Sequence, residues 1–97
     1  MRFSWDWRKS EANLAERGFD FEFAALIFER PTLERLDGRR DYGEKRVLAV
    51  GIAQGVHLTV AYTDRHVLDQ DIERRIISAR RSNRRERKAY SEAIAGR

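Results

Sequence analysis

The chain has 97 residues, with 41% apolar, 37% charged, no cysteine and a formal net charge of +4, a size that predicts one domain spanning residues 1–97. The absence of cysteine argues against a disulfide-stapled secreted scaffold and for a reducing, cytoplasmic setting. No apolar run approaches the roughly 20 residues of a membrane helix, and Arg2, Asp6, Arg8 and Lys9 leave no apolar signal-peptide core, so no membrane partner is expected.

In chain order, Arg2 to Trp5 reads as a short strand with Phe3 and Trp5 on one face. Asp6 is placed to cap a helix from Trp7 to Arg17, and Gly18 to end it in a left-handed conformation. Asp20 caps a second helix, with Phe19 and Ala24 spaced as a hydrophobic staple. Phe21, Ala24, Ala25 and Phe28 recur at helical spacing, Phe23 and Ile27 widen the stripe, and Pro31 stops it. Thr32 to Leu36 reads as an edge strand, followed by an Asp37-Gly38 turn and a polar loop to Gly43. Arg46 to Ile52 and Val56 to Thr63 read as a hairpin around Ala53-Gln54-Gly55. Asp64 to Glu73 reads as a polar loop and Arg74 to Arg81 as the last strand. Asn83 with Glu86 three residues on forms a capping-box pattern for a final helix from Arg84 to Ala95. Helices first and strands together afterwards predict an α+β fold: two N-terminal helices on a small, mainly antiparallel sheet, with a C-terminal helix.

Charge is unevenly distributed. Residues 1–73 hold 11 basic and 14 acidic side chains, a balance of −3, whereas residues 74–97 hold 9 and 2, a balance of +7. Seventeen of the twenty basic residues are Arg, whose planar fork of donors fits phosphate or carboxylate bidentately. The stretch Arg74 to Lys88 therefore points to nucleic acid or an acidic protein partner, with a solvated charged face as the alternative.

Four groups of residues fall together in one pattern: Phe3-Ser4-Trp5-Asp6 with Lys9, Asn13-Leu14, Gly18, Phe21 and Ala24; Tyr42-Gly43-Glu44-Lys45-Arg46; Val60-Ala61-Tyr62-Thr63-Asp64-Arg65; and the run Arg75-Ile76-Ile77-Ser78-Ala79-Arg80-Arg81-Ser82-Asn83-Arg84-Arg85-Glu86-Arg87, with Tyr90 after it. This resembles the BrnT family, toxins of bacterial type II toxin–antitoxin pairs, over nearly the whole chain. The resemblance implies a RelE/ParE-like fold and a growth-arresting ribonuclease. It also implies neutralisation by a BrnA-like ribbon-helix-helix antitoxin in a hetero-oligomer that meets operator DNA only through the antitoxin. In one departure, Arg17 precedes Gly18 where the family pattern carries His. Arg stays protonated and cannot act as a general base, so a catalytically weak antitoxin-binding co-repressor is the alternative reading.

RNA is cut without metal when its 2′-hydroxyl attacks the adjacent phosphate. That reaction needs a base, an acid and positive charge for the transition state. Arg46, Arg65 and Arg80 stand at strand ends and are expected near one rim of the sheet as catalytic residues, and Glu44 is taken as a catalytic proton carrier. Tyr42, Tyr62, Lys9 and His57 remain further proton-carrier candidates. Lys9, Arg17, Arg81, Arg84, Arg85, Arg87 and Lys88 are expected to contact RNA or antitoxin. On the last strand, Ile77 and Ala79 are expected inward and Arg80 toward substrate. Trp5 reads as core, Trp7 as an exposed ring available for stacking, Tyr90 as an anchor of the last helix, and Asp6 and Glu86 as caps. No metal-ligand spacing and no glycine-rich phosphate loop is present, so no cofactor is expected.

Overall fold

The computed structural model describes residues 1–69 and 71–95. Gln70, inside the expected polar loop, and the last two residues of the expected domain lie outside the described residues. Strand β1 (Arg2–Trp5) leads directly into α1 (Trp7–Arg17). The Asp6 side chain accepts the Arg8 N–H at 2.9 Å, and Gly18 closes the helix at φ 87° with its N–H on the Leu14 carbonyl. Helix α2 (Phe21–Ala24) begins at Asp20, whose carboxylate accepts the Phe23 N–H, and tightens at once into a 3₁₀ turn, Ala25–Glu29. Strands β2 (Leu33–Leu36), β3 (Val47–Ala53), β4 (Val56–His66) and β5 (Ile72–Arg81) follow, then α3 (Arg84–Tyr90) and a π-helical turn, Ser91–Ala95.

The strand order is β1-β5-β4-β3-β2. The sheet is mixed: three of its pairings are antiparallel, in keeping with the mainly antiparallel expectation, and β1 pairs β5 in parallel. Parallel pairing follows from connectivity, since the chain leaves β1 and returns to its side only after crossing the rest of the sheet. Strands β4 and β5 reach into the expected polar loop, leaving only 67–71 between them. The cross-strand pair Asp64↔Arg74 supports this extension: Arg74 donates to Asp64 through Nε at 2.8 Å and Nη2 at 2.9 Å. Gln54 and Gly55, at φ 48° and 81°, form the two-residue β3–β4 hairpin loop, and Ala53 belongs to the ladder. Two consecutive positive φ angles match the strand twist of a tight hairpin.

A register shift divides β5. Ala61 pairs Ser78 but Tyr62 pairs Ile76, leaving Ile77 as an unpaired bulge residue. A bulge breaks the two-residue alternation. Ile76 and Ala79 thus share the buried face at 1% and 2% exposure, which corrects the expectation of Ile77 inward. That face packs Leu58, Val60, Tyr62, Ala49 and Ala53 against Phe19, Phe21, Ala24 and Ile27. Buried polar groups tie α1 to the next helix: the Ser10 hydroxyl accepts the Phe21 N–H, and the Asn13 amide donates to the Phe19 carbonyl, both at 2.9 Å. On the other face, Thr59 and Ser82 hydroxyls bond each other at 2.8 Å. Tyr90 anchors the last helix, donating to the Pro31 carbonyl at 3.0 Å.

Gly51 marks the closest approach of layers, because a Cβ there would lie 2.9 Å from Ile27 Cβ and 3.1 Å from Thr32 Cγ2. Gly51→Ala is therefore expected to cost about 1–3 kcal/mol by overpacking. Urea unfolding should show a lower midpoint with unchanged slope.

Candidate functional site

The sheet face opposite the apolar core gathers arginines from several strands. Thr59 alternates with the core residues Leu58 and Val60, and its partner across the ladder is Arg80. Ser78 and Arg75 follow on the same face after the bulge, paired with Ala61 and Thr63. Arg65, two residues beyond Thr63, continues it.

Two clusters result, one at each end of the strands. In the first, Glu44 accepts Arg46 Nε at 3.1 Å and faces Arg65 Nη2 at 3.8 Å. The Arg46 guanidinium lies 3.9 Å over the Tyr42 ring, with Arg40 at 4.9 Å. The loop that supplies Tyr42 and Glu44 is fixed by Asp37. Its carboxylate takes Arg39 Nε and Nη2 at 2.8 Å each and the Tyr42 hydroxyl at 3.3 Å. The Arg39 hydrogen bonds hold the Asp37 carboxyl down at about 2.

The second cluster surrounds Arg80, whose Nη1 and Nη2 donate to the two Glu86 oxygens at 2.8 and 2.9 Å. Glu86 also accepts the Asn83 N–H at 2.8 Å, completing the capping box of α3. Arg80, first, and the Asn83 N–H pull the Glu86 carboxyl down to about 2 against its burial.

The expectation that Arg46, Arg65 and Arg80 share one rim is corrected. Arg80 pairs Thr59, six residues from Arg65 along β4, a separation of about 20 Å at strand rise. Arg46 and Arg65 cluster with Glu44, and Arg80 does not. Instead, Arg80 lines a cleft of about 250 Å³ with Lys9, Glu16, Arg17 and the β5 edge. A contiguous opening of about 310 Å³ is bounded by Arg17, Arg80 and Arg81.

Along α3, Arg87 turns back to donate to the Ser82 carbonyl at 2.8 Å, and Lys88 faces Glu92 at 3.9 Å. Arg84 has no ion-pair partner among the described residues. Arg85 borders a cleft of about 570 Å³ between α3 and strands β2 and β3, floored by Leu33, Leu48 and Val50.

Two proton-carrier candidates are displaced. Tyr62 is buried on the core face and donates to Glu34 at 2.8 Å. Burial first, then that bond, push its phenol above the ordinary range, so it stays protonated. The His57 ring meets Tyr90 edge-on at 6.1 Å between centroids. Trp5 packs on the core and Trp7 is exposed. Arg74, first of the expected basic surface, instead covers the Tyr62 and Phe28 rings at 4.0 and 4.8 Å. Nothing in sequence periodicity marks the Asp37–Arg39 clasp or this cation–π stack, because both depend on contacts across the sheet or loop. Among the described residues, no three His, Asp or Glu side chains converge as a metal-holding group, and no helix is long and apolar enough to cross a membrane.

Residues 5–86 match the family described as "Ribonuclease toxin, BrnT, of type II toxin-antitoxin system". The chain belongs to the BrnT family. Comparison with curated proteins returns no match. The matched span covers both arginine clusters and ends on Glu86, the partner of Arg80. As a BrnT toxin, the chain belongs with ribonucleases whose partner is an antitoxin.

The Arg80–Glu86 tie makes a pH prediction. A carboxyl depressed in the folded state contributes stability above its unfolded value of about 4.3, lost as pH falls through its folded value. Between roughly pH 4.5 and 2, Glu86→Gln is expected to flatten the acid-side loss of stability, while Asp37 keeps its own share. Thermal unfolding across that range checks this.

Proposed function

We propose that the chain is a metal-independent endoribonuclease whose reacting phosphate sits on the arginine face of the sheet. The observation that carries this reading is Glu44 held between Arg46 and Arg65. A carboxylate beside two guanidinia supplies the base and the positive charge that 2′-hydroxyl attack requires. Glu44 accepts the 2′-hydroxyl proton as the oxygen bonds to phosphorus, Arg46 and Arg65 take up the charge that develops on the phosphoryl oxygens, and the departing 5′ oxygen takes its proton from solvent water. The stacking of Arg46 on Tyr42 limits its motion, so little reorganisation is needed during reaction. Arg80, whose Nη1 and Nη2 each donate to Glu86, offers its remaining N–H groups to a neighbouring phosphate. Lys9, Arg17, Arg81, Arg84, Arg85, Arg87 and Lys88 extend the contact surface for RNA or for the antitoxin. The antitoxin is a BrnA-like ribbon-helix-helix protein, and operator DNA is met through it. The fold is read as RelE/ParE-like, the whole chain as one toxin domain, and the working compartment as the cytoplasm.

A second reading, an antitoxin-binding co-repressor with little catalysis, is favoured by the commitment of both Arg80 donor nitrogens to Glu86 and by Arg17 in the position of the family's His. One experiment separates the two. Purified chain freed of antitoxin is expected to cleave RNA in the presence of chelator. Arg46→Ala and Arg65→Ala should each slow cleavage by about 10²-fold. Intact RNA at stoichiometric protein, with salt-sensitive antitoxin binding retained, would reject the ribonuclease reading for this chain.

A further inference from the structure

The ion pairs of the two clusters do not engage Arg17 or Arg81, and an apolar recess lies beside them. Arg81 follows the bulge onto the core side of β5, where its register partner is Leu58. There it forms one wall of a recess of about 370 Å³ containing Leu14, Phe23, Val56 and Asp20. It also lines the opening it shares with Arg17 and Arg80. One residue thus borders both an apolar recess with an aromatic ring and an opening lined by three arginines. Leu14 is 44% exposed despite its size. Neither Arg17 nor Arg81 has an ion-pair partner among the described residues.

We infer that this edge is a nucleotide subsite for single-stranded RNA: Arg17 and Arg81 hold one phosphodiester, and the adjoining base enters the Leu14–Phe23–Val56 recess. The inference rests on the ribonuclease reading and deepens it by naming a second point of substrate contact. Splayed bases of single-stranded RNA stack on aromatic rings and arginine planes while their phosphates meet guanidinium forks. The alternation of charged opening, Arg81 and apolar recess suits that chemistry. An acidic peptide would answer to the arginines, but only RNA places a flat ring beside every phosphate as a property of its repeating unit. The C-terminal end of α1 carries partial negative charge, so the helix opposes an anion here and the guanidinia must supply the attraction. Asp20 spends one oxygen on the Phe23 N–H at 2.9 Å and borders the recess as an acceptor for a base amino group.

The probe is a single-stranded RNA oligonucleotide carrying 2′-O-methyl groups, which cannot be cut by 2′-hydroxyl attack. Its affinity for the full chain is measured by fluorescence anisotropy over a salt series, beside an oligonucleotide with abasic sites. Arg17→Gln with Arg81→Gln is expected to reduce the slope of log affinity against log salt by about 0.7, equivalent to a loss of roughly fivefold near 0.1 M salt. Leu14→Ala, on the surface of α1 and without change of charge, should weaken binding of intact RNA with little further effect on the abasic one. An unchanged slope in the double variant, or equal loss on intact and abasic RNA for Leu14→Ala, would overturn the subsite. So would variants that lose antitoxin binding while keeping full RNA affinity. If wild-type chain cuts unmodified RNA while the subsite variants bind like wild type, only the subsite fails. If wild-type chain neither binds nor cuts RNA, the ribonuclease reading fails with it.

Discussion

The bulge at Ile77 is the constraint on which the functional surface depends. A strand with strict alternation would carry Arg74, Ile76, Ser78 and Arg80 on one side. One unpaired residue changes the phase, so Arg74, Ile76, Ala79 and Arg81 turn toward the helices while Arg75, Ser78 and Arg80 turn away. The core thereby gains two small or branched residues to pack under Phe21 and Ile27. The same strand delivers guanidinia to both sides of the sheet. Arg74 serves structure, stacked on Tyr62 and Phe28 and paired with Asp64. Arg80 and Arg81 stand back to back at the edge that β1 leaves unpaired after Trp5.

Among the described residues, six arginines are held by carboxylates, and the manner of holding distinguishes their roles. Arg39 and Arg80 are gripped bidentately, the first by buried Asp37 and the second by Glu86. Both grips fix local structure: one a loop, the other the start of α3. Each sets a largely buried carboxylate against a more exposed guanidinium, so the grip both stabilises the local structure and places the charge. Glu44 differs because it meets two arginines at once, at 3.1 and 3.8 Å, on an exposed surface. In the proposed reaction it keeps acceptor capacity for a substrate proton while its neighbours meet phosphate.

Local signals were legible in the sequence where one short segment contained all the information. Asp6 and Gly18 bound α1, and Asn83 with Glu86 opens α3, because capping is decided within four residues. The Gln54-Gly55 turn and the edge position of β2 follow from similarly short patterns. The family resemblance, carried by residues spread along the chain, agrees with the match over residues 5–86. What escaped detection was set by contacts between distant segments. The parallel β1–β5 pairing, the extension of β4 through His66, and the phase change at Ile77 each depend on a partner strand. For the same reason, three arginines expected on one rim divide into Arg46 with Arg65 at one end and Arg80 at the other. Tyr62, chemically plausible as a proton carrier, lies under Arg74 because the strand face, not the residue type, decides what it meets.

In the proposed complex, substrate RNA lies along the arginine face and over its β5 edge. Backbone amide chemical-shift mapping with uncleavable single-stranded RNA tests this most directly. The predicted result is perturbation concentrated on Glu44, Arg46, Arg65, Arg75, Ser78, Arg80 and Arg81. Perturbation confined elsewhere, such as the Phe3–Trp7 segment or the Gln54-Gly55 turn, would contradict it.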